Sequence, residues 1–355
     1  MTPPAPHMQQ PPFNARLVRS IAALLAPNAE VSDAPLDDFA PDEWSYVCRY
    51  WHVAPRLWRT LRHCSGIPRT VAEQLRAEYW STVGVSGSLR TAAHELIATL
   101  NSRGVVPLFL KGACQLFDPP SGHAGTRVMV DLDVLVPTGQ DRLCFETLCD
   151  QGFVPATGWD TDRFHHWPKL ARPAVGAESP LVIEIHKTPW LGGGAAEAEA
   201  FYAASVPAIT VAGDARLPCT AHRLLHNAVH ALEGQFRYYA VWEPHELDDA
   251  IGCTNLRQLL DFVDLCHYRG DASTWDAVVS EADRHGRRSD LEQWSFLARE
   301  LCSAPVPDDL ARWNVGRSEP RTAWARCHRV AKGFLRSTGM LGSVRRMRDA
   351  WMTRG

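Results

Sequence analysis

Nine residues, Val128-Met-Val-Asp-Leu-Asp-Val-Leu-Val136, constrain this chain more than any others. Side chains alternate along a strand. One face of the segment is Val128, Val130, Leu132, Val134 and Val136, wholly apolar and fit to pack on helices. The other carries Asp131 and Asp133 side by side. Two ionised carboxylates at neighbouring same-face positions raise each other's pKa unless a cation lies between them. Solvated acids suit an exposed edge strand, but these flanks are too apolar for a free edge. The pattern points to a divalent metal site.

A second segment, Leu181-Val-Ile-Glu184-Ile-His186, supplies another acid. Leu181, Ile183 and Ile185 form its apolar face, with Val182, Glu184 and His186 opposite. If this strand neighbours the Asp pair, Glu184 completes a three-carboxylate cluster suited to Mg²⁺ or Mn²⁺. Upstream, Leu108-Phe-Leu-Lys111-Gly112-Ala113 reads as a strand ending at a lysine and a glycine, with a helix beginning. Backbone N–H groups at such a start suit a phosphate, and glycine lets the backbone come close. An ordinary turn fits the Lys-Gly pair as well. Arg127, four residues before Asp131, is either a phosphate clamp or a surface charge.

The surroundings of these segments read as α+β: a small mixed-sheet core flanked by N-terminal and C-terminal helical regions. Residues 1–12 are proline-rich and read as a disordered tail. Residues 13–104 are helical in pattern, with Leu17, Ile21, Leu24 and Leu25 on one face and a long helix from Val71 to Asn101 stopping before Gly104. Residues 105–215 alternate between strands and helix, with strands over 105–110, 128–136 and 181–186 and a helix over 141–151. Helices return over 216–305, among them 220–233 and 255–268. Residues 306–355 form a basic extension: the last 35 residues hold nine Lys or Arg against Asp349 alone. That stretch reads as a solvated helix face, or as a surface for a phosphate-rich or acidic partner or a membrane.

A length of 355 residues suggests two domains, or one core with helical additions. The formal charge of −3 argues against coating nucleic acid by bulk charge. The ten cysteines form no C-x-x-C pair and fall mostly in apolar stretches, so we expect reduced, packed thiols in the cytoplasm and no zinc site. No run approaches about 18 apolar residues, so no transmembrane segment is expected.

A strand ending in Leu-Lys111-Gly112, then Arg127, then Asp131-x-Asp133 in an apolar strand, then Glu184-x-His186, resembles the nucleotidyltransferases of the polymerase-β superfamily. It is most similar to the poorly characterised branch of nucleotidyltransferase family proteins, over roughly residues 45–270. The resemblance implies metal-dependent transfer of NMP from an NTP, with release of pyrophosphate. The acceptor would be a hydroxyl or phosphate of a small molecule, peptide or protein. It implies Asp131 and Asp133 as metal ligands and Glu184 as third ligand or as base for the acceptor. Gly112 takes the phosphate-loop position. Lys111-Gly112-Ala113 stands where Gly-Ser or Gly-Gly is usual, and the path from Gly112 to Asp131 carries a Pro- and Gly-rich insertion over 118–125. Lys111, Arg127 and His186 are therefore further candidates for binding the nucleotide. A non-catalytic, antitoxin-like module binding a nucleotide or a partner is the alternative, and another metal-dependent phosphotransferase a third.

Other features carry less. His226 and His230 lie one helical turn apart without the glutamate of a zinc protease, which favours a core or pocket-lining role. His165 and His166 fall in an irregular stretch, where they either touch a ligand or sit exposed. Asp261 and Asp264 either pair with nearby arginines or serve a substrate. Trp190 is the tryptophan expected nearest the pocket.

Overall fold

The computed structural model describes residues 15–27, 43, 51–64, 66–119, 125–155, 165–173, 180–238, 251 and 254–312. The proline-rich tail and most of the basic C-terminal extension, with the core of the 118–125 insertion, lie outside them.

The chain begins with α1 (Ala15–Leu25), whose Leu17, Val18, Ile21 and Leu25 are buried, and α2 (Ala54–Leu61). The long helix α3 (Arg69–Asn101) has 33 residues, about 50 Å at 1.5 Å per residue. It belongs to two cores. Val71 and Leu75 in its first turns pack among the helices, whereas Leu89, Ala93, Leu96, Ile97 and Leu100 pack under the sheet. Past its end Gly104 takes φ +72°, the left-handed conformation that lets Val105 N–H reach back to Leu100 O at 3.0 Å.

The sheet follows: β1 (Leu108–Phe109), a 3₁₀ turn (Lys111–Leu116), β2 (Asp131–Leu135), α4 (Asp141–Asp150), β3 (Val154–Pro155), β4 (Leu170–Arg172), β5 (Leu181–His186), α5 (Ala195–Ala203), β6 (Val206–Pro207) and β7 (Arg216–Leu217). Its order is β3-β4-β5-β2-β1-β7-β6, with β2–β5 and β1–β7 parallel and the other pairs antiparallel. This is the α+β, mixed-sheet architecture expected. The β2–β5 pair sits at the centre, in a register that sets Asp133 opposite Glu184 and Leu135 opposite His186.

Two strands are shorter than their apolar runs. β2 starts at Asp131, leaving Val130 at 66% exposure, because Arg257 Nη1 takes the Val128 carbonyl at 3.0 Å, outside any ladder. β1 holds only two residues, since Pro107 has no N–H to give a neighbour.

Four helices close the described chain: α6 (Thr220–Tyr238), α7 (Leu256–Arg269), α8 (Ala272–Arg284) and α9 (Arg288–Cys302). Asn255 caps α7 by accepting from Gln258 N, and Asp271 caps α8 by accepting from Thr274 N at 2.7 Å. Apolar faces of α1, α2 and α6–α9 meet in one core that includes Leu57, Leu224, Phe262 and Trp294. Trp190 lies there too, edge-on to Phe201 and His285. It is a core residue and not the pocket tryptophan the sequence suggested. The described cysteines are free thiols, as expected. Among the described residues no helix is long and apolar enough to cross a membrane.

Candidate functional site

Parallel pairing puts residues of β2 and β5 side by side on one sheet face, so Asp133, Glu184 and His186 converge. They are 4%, 6% and 1% exposed. One ligand atom from each lies within 4.8 Å of the other two. Asp133 Oδ1 accepts from His186 Nε2 at 2.8 Å, and Glu184 Oε2 stands 3.8 Å from the same nitrogen. Asp131, at the open end of β2, is half-buried and lies outside that tight group. His165 and His166 come alongside through a bridge from His166 to His186, their ring centroids 5.3 and 5.7 Å from His186.

Two lysines answer the negative charge. Lys111 Nζ donates to Asp133 Oδ1 at 2.7 Å and lies 3.9 Å from Glu184 Oε2. Lys169 pairs with Glu184 Oε1 and lies 3.8 Å from Asp131 Oδ2. Burial and then the charges of Asp133 and Glu184 push the Asp131 carboxyl up to about 6, against the pull of the two lysines. Burial presses Asp133 the same way, but Lys111 and His186 together hold it well below the usual carboxylate range. Sequence reasoning missed Lys169. The signal available was the cluster's own demand for a counter-charge, which the residue just before β4 meets.

The 3₁₀ turn is built around unusual backbone. Lys111 has φ +49°, a conformation costing an L-residue about 1–2 kcal/mol. Gly112 beside it is covered by Arg127: a Cβ there would lie 1.7 Å from Nη1 and 2.5 Å from Cζ. Arg127 is therefore no surface charge. Its Nε donates to Asp261 Oδ2 at 2.6 Å, while Asp261 Oδ1 accepts from Arg56 at 2.9 Å and from Gln115 at 3.0 Å. Arg56 also reaches Asp264 at 2.7 Å. Of the two roles open to Asp261 and Asp264, pairing with arginines is the one seen, and the partners come from α2 and from the segment before β2. Burial disfavours the Asp261 charge, yet Arg127 and Arg56 outweigh it and keep the carboxyl below its ordinary value.

His226 and His230 on α6 line a cavity beside this turn, in keeping with the pocket-lining role expected. Burial first, then the Lys111 charge, drives His226 down to about 3 and His230 far below 6.5, so both are neutral.

Three acids and a histidine thus lie on paired parallel strands beside a Lys-Gly turn at the end of a third strand. The chain belongs to the family described as uncharacterised nucleotidyltransferase, whose family model matches residues 37–303. No curated protein and no solved structure matches it.

Proposed function

We propose that this protein is a metal-dependent nucleotidyltransferase that moves NMP from an NTP to a hydroxyl or phosphate of a small-molecule, peptide or protein acceptor. The observation that supports this most is the convergence of Asp133, Glu184 and His186 within 4.8 Å, with Asp131 one strand step outward. The donor set fits a divalent ion. The Asp131 carboxyl, pushed up by burial and by the charges of Asp133 and Glu184, would be relieved by a cation beside it, and carboxylate oxygens with one imidazole nitrogen suit Mn²⁺ as well as Mg²⁺. Asp131, Asp133 and Glu184 would hold it, with His186 as a further ligand or as the group orienting Asp133. Such an ion supplies charge neutralisation on phosphate oxygens and a lowered pKa for a bound hydroxyl.

The chain's own residues do the rest. Lys111 and Arg127 bind the phosphates beside Gly112, and the salt bridge from Asp261 keeps the Arg127 guanidinium in place. The nucleoside fits a cavity of about 220 Å³ on the other side of Arg127, walled by Val83, Gly87, Leu116 and Met129. Where Glu184 serves as base and not as third ligand, it takes the acceptor's proton as the new oxygen–phosphorus bond forms, and the bond to pyrophosphate breaks in line with it. Incubation with α-labelled and γ-labelled ATP, GTP, CTP and UTP, Mn²⁺ and an extract of small molecules and peptides tests this. The α-label should pass to an acceptor in wild type and not in Asp133→Asn. Transfer of the γ-label would make the protein a phosphotransferase.

One observation favours a second reading. Lys111 and Lys169 already pair with Asp133 and Glu184, which suits a module that binds a nucleotide or partner without metal or turnover. Nucleotide binding indifferent to Mn²⁺ and to Asp133→Asn would support it.

A further inference from the structure

The Lys111–Leu116 turn, α6 and α7 enclose a cavity of about 40 Å³. Three of its lining side chains are cations, Lys111, Arg127 and Arg223, and one is an acid, Asp261. Arg223 sits deep in the wall at 10% side-chain exposure, held by Asp118 at 2.5 Å. Each of these cations is ion-paired, Lys111 with Asp133, Arg127 with Asp261 and Arg223 with Asp118, but of the three acids only Asp261 lines the wall, so cations outnumber acids on the lining itself. An anion is favoured there and an ammonium group disfavoured.

The two histidines add a finer requirement. His226 bonds the carbonyl of Pro189, and its Nε2 is buried with no partner. The bond to Pro189 therefore uses Nδ1–H, which makes Nε2 an acceptor in the neutral ring. A buried acceptor of that kind is costly until a donor meets it. One turn along, His230 Nδ1 accepts from Gln258 Nε2 at 2.6 Å, which puts its proton on Nε2 and makes it a donor. Cations, an imidazole acceptor and an imidazole donor together match an oxyanion with a neighbouring hydroxyl. The volume, about three water positions, admits a phosphate- or carboxylate-sized head and excludes a nucleobase.

We propose that this cavity seats the head group of the acceptor, a small hydroxyl-bearing phosphate or carboxylate. Lys111, which forms its wall and also bonds Asp133, ties it to the reacting cluster. The assignment of this ligand as acceptor rests on the nucleotidyltransferase reading, whereas the anion site itself does not.

Calorimetry on the full chain tests it, with glycerol 3-phosphate, D-glycerate and inorganic phosphate as probes and with NTP·Mn²⁺ measured separately. Glycerol 3-phosphate or D-glycerate should bind more tightly than phosphate. That binding should weaken at least tenfold in Arg223→Met and in His226→Phe, with NTP·Mn²⁺ affinity retained. Circular dichroism and melting show that each variant is folded, and Arg223→Lys should restore part of the affinity. If no probe binds at 10-millimolar order while NTP·Mn²⁺ does, the head-group site is wrong and the transferase reading stands. If NTP·Mn²⁺ displaces the probe and loses affinity in the same variants, the cavity belongs to the nucleotide and the proposal falls. If the probes bind but NTP·Mn²⁺ does not, the anion site stands and its assignment to an acceptor is overturned with the transferase reading.

Discussion

The Arg127 guanidinium occupies the space that a side chain at Gly112 would fill, with Nη1 1.7 Å from the ideal Cβ position. Arg127 is held there by Asp261 at 2.6 Å and is only 10% exposed, so it has no cheap way out. Met129 Cγ, 3.0 Å from the same point, blocks the other side. Gly112→Ala should therefore cost about 1–3 kcal/mol, the usual range for overpacking, and lower NTP affinity by displacing Arg127. Arg127→Ala has its own cost, the loss of the buried pair with Asp261, but in that background Gly112→Ala should cost little further stability, and NTP affinity should stay low. Urea midpoints of the two single variants and the double variant check this, since strong non-additivity is the signature of direct contact.

Asp261 is the shared acceptor of Arg56, Arg127 and Gln115. Neutralising it in Asp261→Asn strands the buried Arg127 guanidinium and leaves Arg56 only Asp264, and breaking a buried pair from one side costs about 3–5 kcal/mol. Asp264→Asn leaves Arg56 its second carboxylate and should cost less. Denaturant unfolding of both variants orders them.

Lys111 combines a left-handed backbone, φ +49°, with an ion pair to Asp133. Lys111→Ala and Lys111→Gly remove the same ammonium, but only glycine relieves the backbone. Lys111→Gly should be the more stable of the two by about 1 kcal/mol, and both should bind NTP weakly. Melting curves of the pair separate backbone strain from side-chain function.

The buried histidines set a pH dependence. His222, His226 and His230 all have pKa values lowered by burial, His226 to about 3. Below pH 6.5 the unfolded chain binds protons that the folded chain refuses, so stability falls as pH falls. At pH 5.5 a histidine that stays neutral when folded contributes about 1.4 kcal/mol of that loss. Urea midpoints should drop from pH 7.5 to 5.5, and His226→Leu should flatten the slope by about one histidine's share.

What the sequence reveals follows the range of the interactions. Asp131, Asp133, Glu184 and His186 could be placed on strand faces because alternation is local, and the α+β class followed from apolar runs broken by helices. The sequence allows the two strands to be neighbours but gives no sign of the parallel register that sets Asp133 beside Glu184, because strand pairing across fifty residues leaves no local mark. Lys169, Arg56 and Asp261 reach the site through the fold alone: an arginine on α2 and an acid on α7 show nothing in the sequence of their meeting. Trp190 was misplaced for the same reason, since a tryptophan following a strand can turn to either core.

The proposed metal-dependent nucleotide binding depends on Asp131, Asp133, Glu184 and His186, and melting shifts with nucleotide and metal test it most directly. ATP, GTP, CTP and UTP would each be added with and without Mn²⁺ or Mg²⁺ to wild type and to Asp131→Asn/Asp133→Asn, whose fold is verified by circular dichroism. Ligand at 100 times its Kd should stabilise wild type by about 2.7 kcal/mol, a rise of several degrees. That rise should require the metal and disappear in the double variant. A shift that needs no metal, or that survives the loss of both aspartates, would contradict it.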